Sequence, residues 1–228
     1  MEFQREREMF DSARKWLGFQ GFMTKAEFRT PWGICDLVGV LFNDSRVKQR
    51  LQLGQTESIG PPLRIELFDR IPDLETGRAV GPGRLEREFG EFLSPGQLRK
   101  EIDTLVAGKF VQRSLSGALQ KLNGWAPLHD RIVAVELKLN RVQCALDQAK
   151  SHLRIADQSY VGLPANVALG VVQSKRVNEF QKAGVSIIAI SRDSCQVVLS
   201  SRRVNWKPDS IMQMHCVERF WRTRLRGN

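Results

Sequence analysis

ICDLVGVLF, residues 34–42, and RIVAVELKL, residues 131–139, are nearly continuous apolar runs with the length of a β-strand. Runs of this kind are typical of strands covered on both faces of a sheet. Each run nevertheless carries charge, Asp36 in the first and Glu136 with Lys138 in the second. Because side chains alternate along a strand, Glu136 and Lys138 project to the same side. The sequence therefore predicts an α/β domain in which two buried strands bring acids into the core.

Acids in such strands need a partner, because an unpaired buried ion costs roughly several kcal/mol. Two carboxylates about 4 Å apart repel by roughly 4 kcal/mol at an effective dielectric constant near 20, and a divalent cation reverses that repulsion. We therefore predict that Asp36, Glu136 and the backbone carbonyl of Leu137 bind Mg²⁺ or Mn²⁺, which prefer oxygen ligands. Lys138 would stabilise charge on a phosphate or help to position and deprotonate water. The alternative is a structural Glu136–Lys138 pair, with Asp36 capping a turn.

Helices and further strands are predicted on either side of these two runs. Apolar residues at helical spacing predict a first helix over residues 2–17, with Glu6 on its apolar stripe. Apolar and polar residues alternate over residues 21–29, which predicts a strand that forms a hairpin with the first run. A second apolar stripe predicts a helix over residues 141–157, and strands are expected at 159–164, 184–192 and 195–201 with a helix at 175–184 between the first two.

A middle segment interrupts this pattern. Residues 43–64 are polar and rich in Gly and Pro, which predicts a linker, and residues 64–124 are mainly helical. Ser94, Pro95 and Gly108 are typical of the cap, first turn and end of a helix that precedes a short strand. This is a winged-helix-like or a plain helical insertion. We therefore divide the chain into a core of residues 1–63 and 125–228 and an insertion of residues 64–124.

The charge balance indicates the class of partner. The chain has 35 Lys and Arg against 25 Asp and Glu, a net charge of +10, and a pI near 9.9. A polyanion such as nucleic acid is the expected partner, although a merely basic surface gives the same count. In the insertion we expect phosphate contacts from four basic residues, with a solvated face as the alternative: Arg99, Lys100, Lys109 and Arg113.

Other features limit the class of protein. The four cysteines are far apart and are expected to be reduced, and the three histidines form no zinc spacing with them. We find no apolar run that would span a membrane and no signal-peptide pattern, so an intracellular, cytoplasmic protein is expected. The C-terminal ERFWRTRLRGN either contacts nucleic acid or packs its aromatic residues on the domain.

In the strands that carry Asp36, Glu136 and Lys138 the sequence resembles a known family. GICDLVGV and the later VAVELKL, followed by a helix with Gln148, are similar to the PD-(D/E)xK superfamily of restriction-endonuclease-like nucleases. The resemblance covers about residues 1–42 and 127–203. It implies that Asp36 is the second-strand acid and that Glu136 and Lys138 are the Glu and Lys of the motif. The chain departs from the pattern at Cys35, which replaces the proline of the family name.

The resemblance also implies further site residues. Many members add a glutamate from the first helix, for which Glu6 is the choice on stripe geometry, with Glu8 and Glu27 as alternates. Gln148 matches the first residue of the Gln-x-x-x-Tyr motif found in several branches. His152 stands where the tyrosine would be. Its alternatives are a contact with phosphate and a solvated or capping role, of which the second is more common at such a position.

These observations together predict a restriction-endonuclease-like α/β core, a mixed sheet flanked by helices, interrupted by the insertion. The expected activity is metal-dependent hydrolysis of phosphodiester bonds in nucleic acid, with DNA the favoured substrate. The oligomeric state is open, and a dimer is compatible with the sequence. Two alternatives are a non-catalytic nucleic-acid-binding or regulatory protein that keeps the nuclease fold, and an interaction module whose acids are salt-bridged.

Overall fold

The two apolar runs form neighbouring strands in the computed structural model, which describes residues 3–122, 127–201 and 206–226. They pair antiparallel, with Leu37 opposite Val135. In chain order the strands of the described residues are β1 (Met23–Thr30), β2 (Gly33–Phe42), β3 (Val111–Arg113), β4 (Leu119–Lys121), β5 (His129–Leu137), β6 (Gln158–Pro164), β7 (Val185–Ile190) and β8 (Cys195–Leu199).

Helices cover the same part of the chain between these strands. Two 3₁₀ turns lie at Glu6–Met9 and Leu74–Thr76. The α-helices of the described residues are α1 (Phe10–Phe19), α2 (Asp44–Gln52), α3 (Pro62–Arg70), α4 (Pro82–Phe89), α5 (Pro95–Ala107), α6 (Val142–His152), α7 (Ala165–Val172), α8 (Val177–Ala183) and α9 (Ser210–Arg226).

The main sheet has six strands in the order β1-β2-β5-β6-β7-β8. The pairs β5–β6 and β6–β7 are parallel and the other three pairs are antiparallel. Side chains of α1 pack with Leu37, Val135 and Tyr160 on one face of the sheet. Side chains of α6, α7 and α8 pack with Val161 and Ile187 on the other face. The α/β class and the mixed sheet flanked by helices are confirmed.

The chain divides into two compact units, each made of two segments. The first comprises Met1–Phe42 and His129–Gln213, and the second comprises Asn43–Leu128 and Met214–Asn228. Residues 43–63 and 214–228, which the sequence analysis assigned to the core, therefore cluster with the insertion. The suggested boundary at residues 124 and 125 lies outside the described residues, as does the first residue of the helix expected over 2–17.

Within the second unit, three consecutive helices after α2 lead to a two-stranded hairpin. Helices α3, α4 and α5 precede β3 and β4, and Val80, just before α4, makes an isolated antiparallel bridge to Leu119. Helix α5 begins where the sequence predicted, because the Ser94 side chain accepts from Gln97 N while the Gln97 side chain accepts from Ser94 N. The residues expected to form a strand after Gly108 do so in β3.

One prediction of local structure is wrong, and one helix was not predicted. The polar segment after Phe42 is not a plain linker, because α2 forms there, with the Asn43 side chain capping it through Arg46 N. Helix α7 follows β6, where the sequence analysis assigned no helix. In α2 only Val47 and Leu51 are apolar at helical spacing. Helix α7 is instead apolar almost throughout, so no polar face marks its helical period.

An ion pair inside the second unit links the two segments of that unit. Arg50 on α2 and Glu218 on α9 are both almost completely buried, and Arg50 donates from both terminal nitrogens to the carboxylate. Arg50 also donates to the carbonyls of Gln55 and Glu57, and Glu218 accepts from Ile59 N. The pair is therefore well supplied with hydrogen bonds, which a buried ion pair needs to be tolerated.

The aromatic residues of α9 complete this arrangement. The Trp221 ring lies 4.2 Å from the Arg50 guanidinium carbon, and its indole nitrogen donates to Thr56 O at 2.8 Å. Phe220 and Trp221 are fully buried. Of the two roles open for the C-terminal segment, packing of its aromatic residues is the one observed.

We predict that Glu218→Ala lowers the free energy of unfolding by about 3–5 kcal/mol, because it leaves the buried Arg50 charge without its carboxylate. Urea denaturation followed by circular dichroism measures this. Arg224→Ala, on the same helix, is the matched control. It removes a pair with the exposed Asp44 and should cost less than about 1 kcal/mol. Equal losses of stability in the two variants would contradict the stabilising role of the buried Arg50–Glu218 pair.

Candidate active site

Asp36 and Glu136 face each other at the end of the β2–β5 pairing. The register that places Leu37 opposite Val135 places Asp36 opposite Glu136. The regular strand pairing stops here, and Asp36 Oδ2 instead accepts from Leu137 N at 2.8 Å. Glu136 is 1% exposed, whereas Asp36 is half-buried. The first unit therefore brings together the two acids that the sequence singled out.

Lys138 places its ammonium group among these acids. Its Nζ lies 2.7 Å from Glu136 Oε1, 3.1 Å from Leu137 O and 3.8 Å from Asp36 Oδ2. These are oxygens of the three residues that the sequence analysis assigned to a metal ion. All three oxygens point toward a single positive charge, the ammonium group of Lys138. A cation bound among these oxygens would have to displace the ammonium group.

Burial and charge shift the pKa values of this cluster. Burial raises the pKa of Glu136 to about 7, an effect that the Lys138 hydrogen bond opposes and the Asp36 charge reinforces. Burial by itself lowers the pKa of Lys138, but hydrogen bonding and charge from Glu136, with smaller contributions from Asp36 and Glu6, raise that pKa above its ordinary value. Lys138 is therefore charged at neutral pH, while Glu136 is poised between its two forms.

His152 is a further residue of this site, and its predicted solvated role is wrong. It is 2% exposed on α6, and its Nε2 lies 4.0 Å from Glu136 Oε2. Burial, reinforced by the Lys138 charge and opposed by Asp36, lowers the pKa of His152 to about 4, so the imidazole is neutral. His152 Nδ1 and Glu136 Oε2 have no hydrogen-bond partner in the part of the chain that the structure describes. The signal was present in the sequence, because His152 follows Ala149 by three residues on the apolar stripe of α6.

The three candidate glutamates of the first segment differ in position. Glu6 Oε2 lies 3.6 Å from Lys138 Nζ, although Glu6 is 45% exposed rather than directed into the core. Glu8 accepts from Gln4 N and so closes its own 3₁₀ turn. Glu6 and Glu27 share the lining of a cavity of about 300 Å³ with Asp36 and Leu137. Glu6 is therefore the glutamate that is in contact with the cluster.

Glu27 has an unusual backbone conformation. Its φ is 45°, in the left-handed region that non-glycine residues seldom adopt. Glu27 lies between the paired residues Ala26–Leu37 and Phe28–Cys35, so the break in β1–β2 pairing falls opposite Asp36. Non-glycine residues in this conformation cost of order 1–3 kcal/mol and cluster at functional sites.

Gln148 is less closely associated with the cluster. It is half-buried on α6, one turn before His152, and its amide oxygen accepts from Cys144 Sγ at 3.5 Å. Within the described residues it forms no hydrogen bond to Asp36, Glu136 or Lys138. The structure therefore brings His152, rather than Gln148, into contact with Glu136.

The basic residues expected to bind nucleic acid lie in the second unit. Arg99 and Lys100 are exposed on α5. Arg113 pairs with Asp103, which partly neutralises it. Lys109 follows α5 in a left-handed conformation with φ of 59°, and its side chain lies against Gly54. Arg99 and Lys100 are therefore the most available of the four.

The oxygens around Lys138 are of the chemical type that binds a hard metal ion. Their present positions do not form a metal site. Among the described residues, no group of three His, Cys, Asp or Glu side chains is arranged to hold a metal ion. Two carboxylates and one carbonyl nevertheless surround the Lys138 ammonium, and Glu136 Oε2 is buried without a hydrogen-bond partner in the described part of the chain. Hard oxygen donors of this kind fit Mg²⁺ or Mn²⁺.

All four cysteines are free, and no helix among the described residues is long and apolar enough to cross a membrane.

Comparisons with known proteins add little to this geometry. No model of a protein family matches the sequence, and no curated protein matches it. A solved protein of unknown function from Silicibacter pomeroyi is similar with 10% identity and a TM-score of 0.46, over 100% of this chain and 90% of that one. Similarity of this degree transfers neither a fold nor an activity.

We predict that Glu136 makes the metal-free protein less stable as pH rises from about 4.5 to about 7. Its folded pKa of about 7 exceeds its ordinary value of 4.5, so its contribution is fully present below 4.5 and is lost through 7. The free energy of unfolding of wild type minus that of Glu136→Gln, measured in chelator, should fall by about 1–3 kcal/mol over this interval.

Asp147→Asn is the control for this measurement. The hydrogen bond from Lys150 lowers the pKa of Asp147 below 3.8, so this carboxyl stays charged throughout the interval. Wild type minus Asp147→Asn should therefore not change with pH. A flat difference for Glu136→Gln as well would show that Glu136 titrates normally.

Proposed function

We propose that the first unit is a restriction-endonuclease-like nuclease core that hydrolyses phosphodiester bonds of nucleic acid, with DNA the expected substrate, in the presence of Mg²⁺ or Mn²⁺. The observation that carries the proposal is the convergence of oxygens from Asp36, Glu136 and Leu137 on the Lys138 ammonium. These atoms come from two adjacent strands that are otherwise apolar. A buried set of hard ligands with a neighbouring amine is the arrangement that metal-assisted hydrolysis requires.

Each residue of the site would have its own role in the reaction. Asp36, Glu136 and the Leu137 carbonyl would hold the metal ion. A divalent ion there supplies a Lewis acid and lowers the pKa of bound water. Lys138 would contribute its ammonium to stabilise negative charge on the phosphate or to position the attacking water. Glu6 lies near enough to Lys138 to hold the amine in place or to take part in the water network.

His152 and Gln148 would support the site from α6. His152 covers Glu136 Oε2 from the protein interior and keeps water away from it, because both side chains are almost fully buried. Gln148, one turn earlier, would orient the site through its amide. Groups that support metal ligands in this way commonly change metal affinity by about 10- to 100-fold when they are replaced.

We assign a substrate-binding role to the second unit. Helices α3, α4 and α5 followed by the β3–β4 hairpin, with Val80 bridging to Leu119, support the winged-helix-like alternative for the insertion. Helix α5 carries Arg99 and Lys100 on its exposed side. A net charge of +10 for the whole chain agrees with a polyanionic partner.

A second candidate is a non-catalytic nucleic-acid-binding protein that keeps this fold. The pairing of Lys138 with Glu136 favours it, because the lysine already neutralises the buried carboxylate without a metal. The two candidates differ in whether manganese binds at Asp36. Only the nuclease requires Mn²⁺ to raise the melting temperature of wild type and not that of Asp36→Asn.

We predict that Glu136→Ala and Lys138→Ala each lower cleavage by about 100-fold or more, because the two groups act together in the reaction. Supercoiled plasmid, linear duplex and single strands are incubated with and without Mn²⁺, and circular dichroism checks the fold. Glu6→Gln should also lower activity. Glu8→Gln, on the same 3₁₀ turn but bonded to Gln4, is the control and should retain it. Full activity in Lys138→Ala would reject the proposed nuclease.

We predict that Arg99→Ala combined with Lys100→Ala flattens the salt dependence of nucleic-acid binding by about one unit of log–log slope for each phosphate that is no longer neutralised. Binding to a labelled duplex is titrated with salt in Ca²⁺, which is chosen to permit binding without rapid cleavage. Arg84→Ala is the control, since Arg84 is paired with Glu88 on the exposed face of α4. An unchanged slope in the double variant would remove α5 from the binding surface.

A further inference from the structure

A group of aromatic and basic side chains lies beside the candidate active site in the first unit. Ile34 is 50% exposed on β2 and lies on the same face as Asp36. The two residues are two positions apart, about 7 Å along the strand. Trp32 lies in the turn just before β2, and the Arg154 guanidinium carbon is 5.0 Å from the centre of its ring. The exposed start of β2 thus leads directly to the acid of the site.

The turn after α6 connects this group to the site from a second direction. His152, which opposes Glu136, is followed by Leu153 and Arg154. The indole nitrogen of Trp206 donates to Leu153 O at 2.8 Å, and Asp209 N donates to Arg154 O at 2.9 Å. One two-residue turn therefore lies against both tryptophans. We call the surface formed by Trp32, Ile34, Arg154 and Trp206 the Trp32–Trp206 surface.

The chemistry of this surface matches unpaired bases. Trp206 is 40% exposed despite its hydrogen bond, so part of a large aromatic ring faces solvent. Arg154 is exposed, as is Lys207, which follows Trp206. Aromatic rings beside arginine and lysine bind single strands, because each base offers a face for stacking and each phosphate offers a negative charge. Bases within a duplex have their faces covered by neighbours and do not stack in this way.

One acid beside this turn is engaged in capping a helix. Asp209 lies beside the turn, but its carboxylate caps α9 by accepting from Met212 N at 3.0 Å. An apolar protein partner would suit Trp206 and Ile34 alone, whereas the adjacent Arg154 and Lys207 favour a polyanion. The position next to Asp36 favours the substrate of the same site.

We propose that the Trp32–Trp206 surface binds unpaired bases of single-stranded nucleic acid and leads the strand toward Asp36 and Glu136. The inference rests on the proposed nuclease function and narrows its substrate class to strands that are single or locally unpaired. Trp32 and Trp206 stack with bases, and Arg154 contacts phosphate while holding the Trp32 ring in position.

The test measures the affinity of labelled oligothymidylate and of a blunt duplex by fluorescence anisotropy in Ca²⁺. Trp206→Ala and Trp32→Ala should each weaken binding of the single strand by roughly 5- to 100-fold, the range for loss of one stacked base. Duplex affinity should change by less than about twofold. Phe19→Ala is the matched control, because Phe19 is a 91% exposed aromatic residue of the same unit outside this surface, and it should leave both affinities unchanged.

Trp206→Phe separates stacking from a structural role. It keeps an aromatic face but removes the hydrogen bond to Leu153 O, so it should retain most single-strand affinity. Equal losses in Trp206→Phe and Trp206→Ala, equal losses on duplex and single strand, or unchanged single-strand affinity in both alanine variants would each overturn the inference. If wild type cleaves nucleic acid and the alanine variants bind normally, the inference alone fails. If wild type neither binds nor cleaves any nucleic acid, the proposed function fails with it.

Discussion

The first unit is organised around two carboxylates at the end of an apolar sheet, the half-buried Asp36 and the buried Glu136, which water does not reach. Lys138 resolves this locally, since its ammonium is within 4 Å of oxygens from Glu6, Asp36, Glu136 and Leu137. Strand pairing gives way at the same place, because Asp36 takes the hydrogen bond of Leu137 N that a backbone carbonyl would otherwise accept. The sheet positions the acids, and the positive charge permits them to remain there.

Three energetically costly features of the fold lie around these residues. Glu27 adopts a left-handed conformation opposite Asp36, and Glu136 Oε2 and His152 Nδ1 are buried without hydrogen-bond partners among the described residues. Polar groups of this kind are uncommon in native proteins and call for a reason at each place. The cation and substrate that we propose for this end of the sheet would supply one reason for all three. Their proximity is the strongest physical support for treating this end of the sheet as a working site.

The local sequence contains much of this arrangement but not all of it. Alternation along residues 131–139 predicted the common face of Glu136 and Lys138, and buried runs predicted the strands that carry Asp36 and Glu136. Helix α2 was missed because its buried face depends on Arg50, a charged residue whose partner lies 168 residues away. The apolar stripe of α6 indicated that His152 is buried, but only the packing of α6 on the sheet identifies Glu136 as its neighbour. Local patterns identify elements and their faces, whereas contacts between distant elements decide which polar residues are buried.

The Arg50–Glu218 pair also bears on when the second unit is completed during synthesis. Chains grow at about 5–20 residues per second, so Glu218 is made roughly 10 to 30 s after Arg50. During that interval the guanidinium has no carboxylate and the Trp221 ring that lies against it does not yet exist. Residues 43–128 therefore leave the ribosome long before their last packing partners. Folding of this unit on the ribosome should stay incomplete, and its apolar surface should be open to chaperones, until the residues of α9 emerge.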